Sequence, residues 1–144
     1  MEIIDKIIPY LPYDLGFKAT DLESGEFEES CITEINFATA QIEVGATMYS
    51  FDDIGSNELK PVLRPLEDLV KEISFNNKRF IPLTELKDSG LWCDAYDDWW
   101  DLQEPDYKTM MRNCPYEIFD KLLEWNFDVF SLIDDGRAIN MNKL

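Results

Sequence analysis

The sequence contains no histidine. That removes the side chain most often used as a general base near neutral pH, and the commonest zinc ligand. Cysteine is scarce: Cys31, Cys93 and Cys114 are an odd number, and no two lie at CxxC spacing. The pattern suits reduced thiols in a cytoplasmic protein, and a cysteine nucleophile would lack its usual histidine partner. Basic residues are few, 13 Lys and Arg against 30 Asp and Glu, for a net charge of −17. A chain of that sign repels nucleic acid and anionic membranes, since both need a basic patch. Long apolar runs are absent, so no transmembrane span is expected. The first stretch, MEIIDKIIPYLP, is apolar but carries Glu2 and Asp5 and no small-residue cleavage site, so it does not read as a signal peptide. No GxxxxGK[ST] or GxGxxG occurs, which leaves a phosphate cradle unsupported and no cofactor expected.

What is present bounds the fold. With 144 residues and 45% hydrophobic content, the chain is read as a single domain, 1–144, able to bury a core. The stretch Asn113 to Met141 anchors it. Asn113 is placed to cap a helix opened by Pro115, with Ile118, Phe119, Leu122, Leu123 and Phe127 on one face at i, i+3, i+4 spacing and Trp125 at its margin. Such a stripe is the face of a core helix. The helix is expected to end near Asn126, a residue that tolerates the left-handed conformation. Asp128 then caps a short helix, Val129 to Asp135, stopped by Gly136, and Ala138 to Met141 form a last strand.

Ahead of the anchor, Glu2 to Ile8 has helical spacing, and Pro9 and Pro12 bracket an extended turn. Asp14 to Leu22 and Glu26 to Val44 alternate like strands, with Thr47 to Phe51 a further short strand or edge. The phase slips between Phe27 and Ile32 and again between Ile32 and Ile35, which calls for a bulge. Glu26, Glu28, Glu29, Glu34 and Glu43 line the open face of this meander. Leu59 to Arg64 is extended, and Pro65 opens a helix with Leu66, Leu69, Val70 and Ile73 on one face. Asn76-Asn77 turns a hairpin over Ser74 to Phe80. Ile81 to Leu83 extends it, and Thr84 caps a helix from Glu85 to Lys87. The fold class expected is α+β: a small antiparallel sheet packed on the main C-terminal amphipathic helix, with short helices at its edge.

Charge is spread unevenly. Residues 1–60 carry 13 acidic and 3 basic side chains, while residues 91–107 carry 6 acids and no base. That second stretch also holds Trp92, Tyr96, Trp99 and Trp100, which share a rough helical face, with Asp94, Asp97, Asp98 and Asp101 around them. Rings of this kind are enriched at binding hot spots, and acids beside them suit a Lys- or Arg-rich partner. These eight residues are the candidate partner-binding site. The four aspartates lack EF-hand order and its glycine, so no metal is assigned.

Three segments, LPYDL (Leu11 to Leu15), KPVLRPLEDLVKEI (Lys60 to Ile73) and KLLEWNFDVFSLIDDGRAINMN (Lys121 to Asn142), together resemble a family of small uncharacterised proteins of Bacteroidetes-type bacteria and their phages and mobile elements. The resemblance brings no activity and no functional residues. It implies an intracellular, phage-associated protein.

The functional expectation is a non-enzymatic accessory protein that binds another protein, basic or cation-bearing, in the cytoplasm. One alternative is an acidic DNA mimic that blocks a nucleic-acid-binding host protein, because spaced carboxylates can imitate phosphates. The other is a carboxylate-based enzyme, which would need a pocket with two convergent acids. Homo-oligomerisation through a sheet edge or the tryptophan face is compatible with the sequence.

Overall fold

A computed structural model describes residues 2–20, 27–92 and 107–143. The chain is an α+β fold around a six-stranded sheet. Its strands are β1 (Gly16–Thr20), β2 (Phe27–Asn36), β3 (Gln41–Val44), β4 (Thr47–Ser50), β5 (Leu59–Leu63) and β8 (Ile139–Asn140), in the order β4-β3-β2-β1-β5-β8. Neighbours are antiparallel except β5 and β8, which run parallel, so the last strand joins the sheet in the opposite sense to a meander. A separate hairpin pairs β6 (Ile73–Phe75) with β7 (Lys78–Phe80). The described helices are α1 (Ile3–Ile7), α2 (Pro82–Asp88), α3 (Tyr107–Arg112) and α4 (Tyr116–Glu124).

The anchor helix is α4. Ile118, Leu122 and Leu123 are buried and join Ile7, Phe17, Ile42 and Leu63 in one hydrophobic cluster that also draws on α1, the sheet and α2. Its end is where the sequence puts it: Asn126 sits at φ 59°, and Phe127 turns back into the core. Trp125 is not marginal but 3% exposed, with its ring centroid 5.2 Å from that of Phe80. Asn113 does not cap α4. Its amide donates to the Thr109 carbonyl at the end of α3, a helix the sequence reading missed, while Pro115 takes the cap position of α4 without a side-chain bond.

Of the two phase slips, the one between Ile32 and Ile35 is a bulge, whereas the β1–β2 register runs without a shift from Phe27 to Cys31. The β2–β3 register shifts between Ile32 and Glu34, which makes Thr33 the extra residue of a bulge. Ile32 can then oppose Val44 and Ile35 oppose Ile42, both toward the core, although they lie three apart. The Asn76-Asn77 hairpin also holds, with φ of 49° and 64°.

Four local expectations are corrected. Residues Ile8–Tyr13 form a 3-10 helix rather than an extended turn, with Pro9 at its start, where a fixed φ suits a helical turn. The segment after Pro65 is a 3-10 helix, Leu66–Val70, with Ile73 already in β6. Three residues per turn stack Leu66 over Leu69 and push Val70 to 46% exposure. Helix α2 starts at Pro82, not after Thr84, because proline is pre-organised for a first turn. No helix forms over Val129 to Asp135: Ser131 stands at φ 59°, which breaks it into turns. Asp128 nonetheless caps that segment, accepting from the Leu132 and Ile133 amides at 2.8 and 2.9 Å.

Candidate partner-binding surface

Of the eight residues singled out in the sequence, Trp92 is within the described structure. Tyr96, Trp99, Trp100, Asp94, Asp97, Asp98 and Asp101 lie outside the described residues. Trp92 is half-buried, packs on the core cluster, and already has the Lys87 ammonium 5.5 Å from its ring centroid. Its face is occupied by a cation from its own chain.

Among the described residues, the combination of an exposed ring and opposed acids occurs at the β2–β4 side of the sheet. The bulge sets it up. With Thr33 absorbed, Glu34 opposes Glu43 and Glu43 opposes Met48, so three neighbouring strands present one row across the sheet. The opposite phase, Ile35, Ile42 and Tyr49, forms the next row, and Ile42 there is fully buried. Like charges directly opposite one another on neighbouring strands are destabilising. The Thr33 hydroxyl eases this at 2.7 Å from Glu43 Oε1, yet contributes no positive charge. Between Lys18 and Lys60 the chain has ten acidic residues and no basic one, so this part of the sequence supplies no counter-ion of its own.

The turn that joins β2 to β3 forms an apolar corner. The β2–β3 turn is closed by the Asn36 side chain, which accepts from the Ala38 and Thr39 amides at 3.0 and 3.2 Å. This turn holds Phe37 out at 64% exposure, with its ring edge-on to Phe51 at 5.9 Å. Phe51 begins the 3-10 turn Phe51–Asp53, which brings Asp52 and Asp53 alongside. Met48 adds a second exposed apolar group at 45%. The local signals in the sequence were the Asx-type Asn36 and the long stretch without a base; what could not be read was that Glu34, Glu43 and Met48 would share one row.

Buried charge lies elsewhere. Arg64, Asp68 and Asp128 are each buried. Asp68 accepts from the Asn142 amide at 2.7 Å and has the Lys71 ammonium at 3.6 Å. The Arg64 guanidinium lies 5.8 Å from the Phe127 ring centroid; burial pulls its pKa down and the Asp68 charge opposes that. A cavity of about 290 Å³ near the ends of the parallel strands β5 and β8 is lined by Glu67, Tyr107, Asp128, Ile133, Asn140 and Lys143, among others. Asp128 is not free for chemistry there, since both its oxygens accept backbone amides. Burial raises its pKa, those two hydrogen bonds lower it, and Asp134 and Asp135 push it up further. Among the described residues no group of three or more His, Cys, Asp or Glu is placed to hold a metal ion, and no helix is long and apolar enough to cross a membrane.

Fold and surface together define an α+β protein with an acidic, partly apolar sheet edge. Comparison of the chain with protein-family models, with curated proteins and with solved structures finds no match.

Proposed function

We propose that this chain is a binding protein without catalytic activity, and that it takes a basic protein partner on the β2–β4 side of its sheet. The observation that carries the reading is the Glu34–Glu43 cross-strand pair with exposed Met48 next in its row, and with exposed Phe37 in the turn that joins the same two strands. An arginine or lysine from a partner would relieve the repulsion of the pair, and an apolar contact on Phe37 would bury a ring that its own fold leaves in water. The setting that fits is the cytoplasm, where the three thiols stay reduced. The resemblance of the C-terminal motif makes a phage- or mobile-element accessory role part of the same proposal.

Affinity capture from bacterial lysate at low and high salt tests it. The expected result is a basic partner held by the wild type and lost from Glu34→Gln/Glu43→Gln and from Phe37→Ala, with each variant still folded by circular dichroism. A partner retained equally by all three proteins would rule this surface out. Competition by DNA for the captured partner would favour the DNA-mimic reading over an ordinary docking surface.

A further inference from the structure

We infer that the partner binds as an extended basic strand added to the open edge of β4. The inference rests on the docking reading above and says what form the partner takes. β4 is the terminal strand of the sheet, and its sequence, Thr47-Met48-Tyr49-Ser50, has none of the lysines or prolines that usually blunt such an edge. Backbone geometry fixes which groups it offers. Gly45 and Ala46, at φ 56° and 66°, make a two-residue turn, so the flanking Val44 and Thr47 form the hydrogen-bonded pair. Pairs alternate along an antiparallel ladder, and Glu43–Met48 is therefore the non-hydrogen-bonded pair. The N–H and C=O of Met48 point away from β3, to the open edge.

Ser50, two residues on, must point the same way, and its N–H donates at 3.0 Å to Asp53 Oδ2. Asp53 thus stands where the carbonyl of an added strand would stand and takes the Ser50 amide, so the outward pair that β4 offers is the N–H and C=O of Met48. Among the described residues no turn, cap or loop bond takes the Met48 amide or carbonyl.

The row of side chains chooses the occupant. A strand added to β4 continues the series Glu34, Glu43, Met48 on the outer face. Its residue opposite Met48 lies two strands from Glu43, about 10 Å away at the usual strand spacing, a span that a long cationic side chain lying over Met48 covers and that an acidic one does not exploit. A second copy of this chain fits poorly: it brings a net charge of −17 and another Glu43 to the same row. The recognition is strand addition, with backbone bonds giving affinity and alternate side chains giving selectivity.

The test uses the full chain and a fluorescein-labelled peptide of alternating lysine and valine, followed by anisotropy. Two further peptides carry N-methyl groups, one on the lysines and one on the valines. One set of alternate amides faces β4 and the other faces water. We expect one methylated peptide to bind about tenfold more weakly, or worse, while the other binds like the parent. We also expect the Met48 amide to gain protection from hydrogen exchange on binding, and Glu43→Gln to weaken the parent peptide. If both methylated peptides bind like the parent while Glu43→Gln still weakens binding, strand addition is overturned and the docking surface stands. If Glu34→Gln and Glu43→Gln leave binding untouched, the docking reading falls with it. A concentration-dependent dimer in sedimentation that is lost on Met48→Pro would assign the edge to a second copy and overturn the basic strand.

Discussion

One hydroxyl ties together parts of the chain that are far apart in sequence. The buried Tyr10 donates to the Phe127 carbonyl and accepts from the Val129 amide at 3.1 Å. Tyr10→Phe keeps the ring and removes the hydroxyl, while the Val129 amide still donates to the Phe127 carbonyl at 3.0 Å, so it should cost about 1 kcal/mol in denaturant unfolding, the net worth of a hydrogen bond. Asp128, between those two residues, gives a pH signature. Its folded pKa lies above the ordinary 3.8, chiefly through burial, so the folded state holds the proton more tightly than the unfolded one. Stability from this group is then greatest in acid and is lost as pH rises through the folded value. Asp128→Asn keeps one acceptor and does not titrate. Its stability deficit against wild type should be largest near pH 4, roughly the ordinary carboxyl value, and should shrink toward neutrality; a deficit that grows would mean the ionised form is the one the fold prefers. The thiols differ in the same spirit: burial pushes Cys114 up to about 12, while Cys31 is exposed. In a Cys93→Ser background, a thiol reagent at mildly alkaline pH should label Cys31 well before Cys114.

The β3–β4 hairpin is the element on which the binding proposal depends, and it carries strain. Ala46 sits at φ 66°, a conformation that costs a residue with a Cβ about 1–2 kcal/mol. Part of that gain is offset by the greater freedom of glycine in the unfolded chain, so Ala46→Gly should stabilise the protein by roughly 1 kcal/mol or slightly less. Thermal melts would show it, and a lower melting temperature would mean that the methyl group packs against something. How far the sequence made this region legible follows from the range of each signal. Alternation located β2, β3 and β4, and the three-residue spacing of Ile32 and Ile35 announced the bulge, because those signals are local. The Asn76-Asn77 turn and the end of α4 at Asn126 were legible for the same reason: both rest on asparagine in the left-handed region. The parallel pairing of β8 with β5 was not, since two residues at each end of a long connection leave no periodic trace. The helix expected over Val129 to Asp135 failed because Ser131 adopts a positive φ that serine has no intrinsic tendency to take. Composition drew attention to the tryptophans, of which Trp99 and Trp100 lie outside the described residues, whereas Phe37 becomes a candidate only once its turn is known to leave it in water.

At the scale of the whole molecule, a net charge of −17 acts on folding and on binding with opposite signs. Within the chain, the acids repel one another, as where Glu34 and Glu43 stand opposite on neighbouring strands. Salt screens that repulsion, with a Debye length falling from about 30 Å at 0.01 M to about 10 Å at 0.1 M, so added salt should raise the melting temperature. Toward a basic partner the same charge is attractive, and the same salt should weaken association, mostly by slowing the approach. Raising sodium chloride from about 0.01 to about 0.1 M should therefore give a more stable protein that binds less tightly. Glu34→Gln/Glu43→Gln should imitate part of both effects at low salt. A double variant that loses binding and stability together would indicate a fold that needs those carboxylates. One that gains stability while losing its partner would identify the row as a place where the chain holds repulsion that a partner's cation removes.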